Sequence, residues 1–180
     1  FMSSKGKVVA IVQARLGSSR LPLKSLLCLR DVPVIDWVTR RLGASARLDS
    51  IMVAVPDTPL DAVLLEHLRR RGVPCMAGPE DDVLARFCQA AQLADADLVV
   101  RVCADNPLIW SGAVDRLVDF YRQGHWDYAY NHIPRNNLWP DGLGAEILSR
   151  ELLEDMGRKA TQPSQREHCL NYIWDNAADF

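Results

Sequence analysis

Along the chain, short unbroken apolar runs alternate with stretches in which apolar residues recur every three or four positions. That alternation predicts strands and helices in turn around a mainly parallel sheet. Residues 7–13 are continuous and β-branched, as expected of a strand covered on both faces. Pro33 then opens a helix with Val34, Ile35, Val38 and Leu42 on one side, and Gly43 stops it. Residues 51–55 form the second strand. In Thr58-Pro59-Leu60-Asp61 we read an N-cap, a proline at the first helical position and an acid three residues after the cap. Leu60, Val63, Leu64 and Leu68 would be that helix's buried stripe, with Gly72 at its end.

Further on, Cys75-Met76 predicts a short strand, and Pro79 precedes a helix burying Val83, Leu84, Phe87 and Ala91. Residues 97–103 predict another central strand, which cannot run on through Pro107 because proline has no N–H for the ladder. A helix over residues 111–123 turns Val114, Leu117, Val118 and Tyr121 inward. Residues 127–131 and 144–148 are strand candidates on either side of a loop, 132–141, rich in proline and asparagine. Two helices finish the chain. No internal repeat or low-complexity tract interrupts the pattern.

The 180 residues suit one domain with a sizeable core, and we take residues 7–180 as that domain. Residues 1–6 are expected to be a tag remnant and a disordered start, with no apolar core of a secretory signal. A formal net charge of -2 gives no global basic field for nucleic acid, so anion binding must come from a local cluster. No run approaches the ~20 apolar residues of a membrane span. Five cysteines without a CxxC pair argue against a zinc ribbon or a dithiol redox site and suit free thiols in a reducing cytoplasm.

The local cluster is the segment from Gln13 to Lys24, Gln-Ala-Arg-Leu-Gly-Ser-Ser-Arg-Leu-Pro-Leu-Lys. A loop after the first strand of an open α/β sheet lies at the carboxyl edge, where such sheets bind ligands. Gly17, Ser18 and Ser19 are small enough to let backbone N–H groups approach an anion. Arg15, Arg20 and Lys24 add three cations, the arginines able to grip two phosphate oxygens each. Neither the Walker pattern nor GxGxxG is present. A solvated basic turn would also account for the residues taken alone.

Together with four later blocks, this loop resembles the acylneuraminate and 3-deoxy-manno-octulosonate cytidylyltransferases and, within them, the branch containing the spore coat polysaccharide biosynthesis protein F. Those blocks are residues 78–87, Gly-Pro-Glu-Asp-Asp-Val-Leu-Ala-Arg-Phe; residues 101–109, Arg-Val-Cys-Ala-Asp-Asn-Pro-Leu-Ile; Pro140-Asp141-Gly142-Leu143; and Arg166-Glu167-His168. The likeness spans roughly residues 7–175 and implies a three-layer αβα, Rossmann-like nucleotidyltransferase fold. It further implies that Gln13, Ala14, Arg15, Gly17, Ser18, Ser19, Arg20 and Lys24 hold the nucleotide, with Arg15 and Lys24 acting on the triphosphate. Leu23 stands where many relatives have glycine.

By the same resemblance Asp105 would be the catalytic metal ligand, carrying Mg²⁺ or Mn²⁺ as nucleotidyl transfer requires. Asp-Asn-Pro is also a turn sequence in its own right, so a capping role for Asp105 stays open. Asp82 would lie at the edge of the nucleotide site, although acids in a helix's first turn are favoured by its dipole alone. Asp141, Glu146 and His168 would line the sugar side, His168 being equally readable as a structural histidine. Relatives read Asp-Gly-Leu-Asp-x-Glu here, whereas this chain has Gly144 in place of the second aspartate. Trp126, Trp139 and Trp174 are read as core residues and given no role.

The activity implied is transfer of CMP from CTP to a sugar acid of the nonulosonate type, with release of pyrophosphate, in the cytoplasm and as a homodimer if relatives are a guide. Relatives continue into a motif like Asp-Thr-Pro-Glu-Asp that supplies a second metal acid, so truncation at the carboxyl end is an expectation too. The alternatives are a nucleotidyltransferase acting on a sugar 1-phosphate with another nucleotide, or a non-catalytic nucleotide- or sugar-binding domain of a larger polysaccharide-assembly protein. Fold and phosphate loop alone do not separate these.

Overall fold

A computed structural model describes residues 6–132 and 138–180. In chain order the elements are β1 (Val8–Gln13), a 3₁₀ turn (Lys24–Leu26), β2 (Cys28–Leu29), β3 (Val32–Pro33), α1 (Val34–Leu42), β4 (Ser50–Pro56), α2 (Ala62–Arg70), β5 (Cys75–Gly78), α3 (Val83–Leu93), β6 (Leu98–Cys103), α4 (Ser111–Gln123), β7 (Tyr128–Tyr130), β8 (Glu146–Ser149), α5 (Arg150–Lys159), α6 (Pro163–Glu167) and α7 (Asn171–Asp175). The last three replace the two terminal helices expected.

Six strands form one sheet in the order β5-β4-β1-β6-β8-β7. The first four are parallel, while β8 is antiparallel to both β6 and β7. Period-two alternation divides β1 between two cores. Val8, Ala10 and Val12 pack with α1, α2 and α4 on one face, whereas Val9 and Ile11 pack with α3, α5 and α7 on the other. All five are fully buried, which is why the strand reads as an unbroken apolar run. The result is the three-layer αβα arrangement that the alternating pattern implies.

Two further details, in the second helix and among the tryptophans, differ from expectation. The helix after β4 starts at Ala62, and its buried stripe is Leu64, Leu65 and Leu68, with Leu60 and Val63 out in solvent. Thr58 does accept the Asp61 N–H through its hydroxyl, as a cap would, but residues 59–61 form a turn that rotates the helix relative to the simple reading. Trp126 is exposed and stacked on Phe120, not part of the core. Of the proline- and asparagine-rich loop, residues 133–137 lie outside the described residues, as do residues 1–5 at the amino end.

The strand order fixes where a site belongs. From β1 the chain crosses to β4 on one side and returns later to place β6 on the other, so β1/β6 is the topological switch point. The loops leaving the carboxyl ends of these neighbours diverge and leave a crevice, the usual binding place in open α/β sheets.

Candidate nucleotide site at the β1/β6 switch point

Both loops that open at this crevice carry predicted site residues. Gln13 pairs with Cys103 at the ends of β1 and β6, so the basic loop and the Ala104-Asp105 turn emerge side by side. Lys24 crosses the gap, its Nζ 2.6 Å from Asp105 Oδ2. The Asp105 carboxylate makes no cap; it faces the crevice with about half its side chain exposed. The turn beneath it is closed by backbone bonds from Asn106 to Cys103 and from Ile109 to Asn106.

The loop is pinned at its base. Ala14 N–H donates to Ala54 O, so that amide is engaged by the sheet. Leu16 is buried, and its carbonyl accepts from both Ser18 N and Leu23 N, closing the turn. Leu23 sits at φ 60° and ψ 15°, the left-handed region that glycine enters freely. This is the physical reason glycine suits the position. Between these pins, Gly17, Ser19 and Arg20 are largely in solvent, and their amides have no hydrogen-bond acceptor among the described residues. Ser18 receives the Leu21 N–H on its hydroxyl. Neither the Arg15 nor the Arg20 guanidinium has an ion pair among the described residues, whereas Lys24 has Asp105. The loop therefore presents two uncompensated cations and several unused N–H groups to the crevice, an arrangement that attracts an anion.

Beyond Gln13 the crevice deepens into a cavity of about 370 Å³, lined among others by Arg101, His132, Glu146, His168 and Trp174. Gln13 Oε1 lies 3.5 Å from an Arg101 nitrogen, joining the two regions. Glu146, almost wholly buried, is held by Arg101 and by the Tyr128 hydroxyl, with His132 Nε2 3.7 Å away. Burial, reinforced by the Glu146 carboxylate, pushes the Tyr128 phenol far above its ordinary pKa, which keeps it a hydrogen-bond donor. Glu146 thus reaches the cavity as an already bound carboxylate that orients Arg101. His168, at the carboxyl cap of α6, has an exposed side chain with no partner among the described residues.

The remaining expected residues fall elsewhere. Asp82 caps α3 by accepting Ala85 N–H at 2.9 Å, and its other oxygen holds the Arg166 guanidinium. Both oxygens are thereby engaged within the protein, in the helix-start role open to this acid. Asp141 lies in an exposed turn, next to Gly142, whose φ is 82° and whose N–H donates to His132 O. It does not line the cavity with Glu146 and His168. Gly144 is buried against Asn131: a Cβ there would stand 2.6 Å from the Asn131 carbonyl carbon and overlap its Oδ1. No side chain fits that position as the chain is folded. The reading of the sequence missed Arg101, Tyr128 and Asp61; an arginine in an otherwise apolar central strand was the available signal for the first.

Divalent metal would have one carboxylate here, Asp105. Among the described residues no group of three His, Cys, Asp or Glu side chains converges. One exposed carboxylate beside a basic loop would suit Mg²⁺ or Mn²⁺ arriving with a nucleotide, since such ions take one or two protein carboxylates and complete their shell with phosphate oxygens and water. No helix among the described residues is long and apolar enough to cross a membrane.

Comparison with known proteins meets this geometry. The chain is 30% identical over 176 residues to the spore coat polysaccharide biosynthesis protein SpsF of Bacillus subtilis, covering 95% of this chain and 71% of that protein. To a 3-deoxy-manno-octulosonate cytidylyltransferase of Acidobacterium capsulatum it is 32% identical over 120 residues, 66% of this chain and 47% of the enzyme, so it spans about half the length of that relative. A cytidylyltransferase from Leptospira borgpetersenii superposes with a TM-score of 0.88 at 31% identity, over 97% of this chain and 74% of the other. The profile of the cytidylyltransferase family matches residues 9–180. With that match covering nearly the whole chain, including every residue of the crevice, the protein is a nucleotidyltransferase that belongs to the cytidylyltransferase family.

Proposed function

We propose that this chain transfers CMP from CTP to the anomeric hydroxyl of a sugar acid and releases pyrophosphate. The observation that carries the reading is the pairing, at the switch point, of a loop bearing two uncompensated arginines with the Lys24–Asp105 contact. A triphosphate needs cations and N–H donors, and its metal needs a carboxylate; Arg15, Arg20, Lys24 and the loop amides supply the first, Asp105 the second. Lys24 and Asp105 neutralise each other, and a ligand carrying both phosphate and divalent metal would satisfy the two separately. Bound at Asp105, the ion would neutralise the triphosphate and the departing pyrophosphate.

The acceptor would occupy the cavity behind Gln13. There Arg101 is oriented by Glu146, and His168 stands free to meet a polar or anionic group. Names of relatives point to the same chemistry, since one acts on 3-deoxy-manno-octulosonate, an acidic sugar. Attack on the α-phosphate relies on positioning and charge stabilisation by the loop, so no dedicated base is required.

Pyrophosphate release measured with CTP, Mg²⁺ and a panel of sugar acids tests the reaction. Arg15→Ala and Lys24→Ala should each weaken CTP binding at least tenfold, about 1.4 kcal/mol or more, with little change in Tm, because these exposed groups contribute little to stability. Unchanged CTP affinity in both would remove the loop from the site. Asp105→Asn should abolish the Mg²⁺ stimulation of nucleotide binding, and stimulation that survives would return Asp105 to the status of a turn residue.

A further inference from the structure

Beneath the loop lies a carboxylate that its sequence motif marks only as a helix-start acid. Asp61 is only 3% exposed, yet it makes the contact that reaches into the loop from the turn before α2. Its Oδ1 accepts the Leu16 N–H at 2.7 Å in a buried setting, and its Oδ2 accepts from the Thr58 hydroxyl at 2.6 Å. Thr58 Oγ1 in turn accepts the Asp61 N–H at 3.1 Å, which locks the rotamer. Leu16 is the residue whose carbonyl closes the loop through Ser18 and Leu23, and Arg15 and Gly17 are its neighbours in the chain. Fixing the Leu16 peptide therefore fixes the direction in which Arg15 leaves the sheet and the plane of the peptide that leads into the loop.

Electrostatics argues that this carboxylate serves geometry rather than charge. A negative group buried near a triphosphate site repels the ligand, so its presence costs affinity unless something offsets it. Arg86, also almost fully buried, supplies that offset. Its guanidinium is tied to the Pro79 and Glu80 carbonyls of the loop after β5. Burial lowers its pKa, the Asp61 carboxylate is the strongest charge acting in the opposite direction, and Arg15 adds a further lowering repulsion. Asp61 and Arg15 are thus both within electrostatic reach of Arg86. A buried acceptor with both oxygens engaged gives a rigid reference point that an exposed basic loop otherwise lacks.

We infer that Asp61 is a positioning residue of the nucleotide site: by holding the Leu16 amide it sets Arg15 and the Gly17–Arg20 amides toward the phosphates, without itself touching the ligand. The inference rests on the nucleotide reading of the loop given above. Its test uses CTP with Mg²⁺, and inorganic pyrophosphate as a second probe, on the full chain. Asp61→Ala should weaken CTP binding about tenfold or more, the size of one hydrogen bond to a charged group. It should raise KM for CTP more than it lowers kcat, and should speed hydrogen exchange at the Leu16 amide. Asp61→Asn keeps an acceptor for Leu16 and a group that bonds to Thr58, and should bind CTP within about threefold of wild type, well under one buried bond. Leu64→Ala, which empties a core position of the same helix, should lower Tm while leaving CTP affinity unchanged. The inference is overturned if Asp61→Ala loses stability but binds CTP as wild type, if Leu64→Ala weakens CTP equally, or if Asp61→Asn is as impaired as a full loss of the bond. The Asn variant decides the matter even if the Ala variant fails to fold. Should wild-type protein bind neither CTP nor pyrophosphate, the nucleotide reading itself falls and takes the inference with it.

Discussion

The family resemblance of the sequence implies an acid where this chain has Gly144, and the obvious experiment is to introduce one. The structure predicts that its introduction damages the fold before it can help catalysis. Gly144 is buried, and a Cβ built on it would lie 2.6 Å from the Asn131 carbonyl carbon, with the Asn131 carbonyl and side-chain oxygens closer still. Carbon atoms rest at about 3.5–4.0 Å, so the Asn131 backbone must retreat by roughly 1 Å. Asn131 is not free to do so: it is 3% exposed, its Nδ2 donates to Ala113 O at 2.8 Å, its Oδ1 accepts Ala145 N–H at 2.9 Å, and its own N–H donates to Ala145 O at 3.0 Å. Overpacking costs about 1–3 kcal/mol, and losing even one of these buried bonds about 1–3 kcal/mol more. Taking roughly 3 kcal/mol for Gly144→Ala, Tm should fall by roughly 6–12 °C at this chain length. Gly144→Asp adds an uncompensated buried charge and should fall further. Differential scanning fluorimetry, with near-UV circular dichroism as a check on packing, reads the effect directly. A Gly144→Ala protein melting within 2 °C of wild type would refute the packing argument and reopen the position to a side chain.

Other consequences can be measured alongside. Glu146→Gln leaves the Arg101 guanidinium buried without its charge partner and should cost roughly 3–5 kcal/mol in denaturant unfolding; a loss under 1 kcal/mol would show that Arg101 finds another route to solvent. Burial pushes the thiols of Cys88 up to about 11 and of Cys169 up to about 12, from an ordinary 9.0, so a thiol reagent at pH 8 should label exposed Cys28 first and Cys169 only after unfolding. Because those pKa values are raised in the folded state, the unfolded chain loses its thiol protons at lower pH. The stability they contribute is therefore complete below pH 9 and is lost as pH rises from there toward 12, giving an alkaline unfolding limb that Cys88→Ser or Cys169→Ala should displace. Leu23→Gly exchanges left-handed strain of about 1 kcal/mol for a comparable entropy cost in the unfolded chain, so stability should change by less than about 0.5 kcal/mol and CTP binding should persist; a clear loss of binding would make the Leu23 side chain part of the site.

Legibility differed by element for physical reasons. Central strands were readable because both faces are covered, which leaves β1 and β6 as β-branched runs that no surface helix would tolerate. The hairpin of β2 and β3 was not readable. Its two turn residues, Arg30 and Asp31, sit at φ 51° and 62°, the geometry of a type I′ turn, yet neither is the asparagine or glycine that signals one. The helix after β4 was anticipated but begins later and is turned differently, since the Thr58–Asp61 contact inserts a turn before the helix and shifts which side meets the core.

At the candidate site, residues proposed to meet the ligand through exposed charge were visible in the sequence, and those proposed to act through other residues were not. Arg15, Arg20, Lys24 and Asp105 belong to short motifs in which residue type and spacing carry the chemistry. Asp61 lies 45 positions from the amide it holds, and Glu146 lies the same distance from Arg101. Such pairs come together only through strand order: parallel β1–β4 pairing brings the start of α2 under the loop, and antiparallel β6–β8 pairing sets Arg101 opposite Glu146. Local pattern has no access to either register. For the same reason Asp61 read plausibly as a helix-start acid, an assignment consistent with its neighbours in sequence and silent about its neighbour in space. What the fold adds to the motif, then, is the support of the basic loop. Each support makes its own demand on the sequence: an acceptor at 61 for the Leu16 amide, an acid at 146 for Arg101, and a glycine at 144 where the chain packs on Asn131.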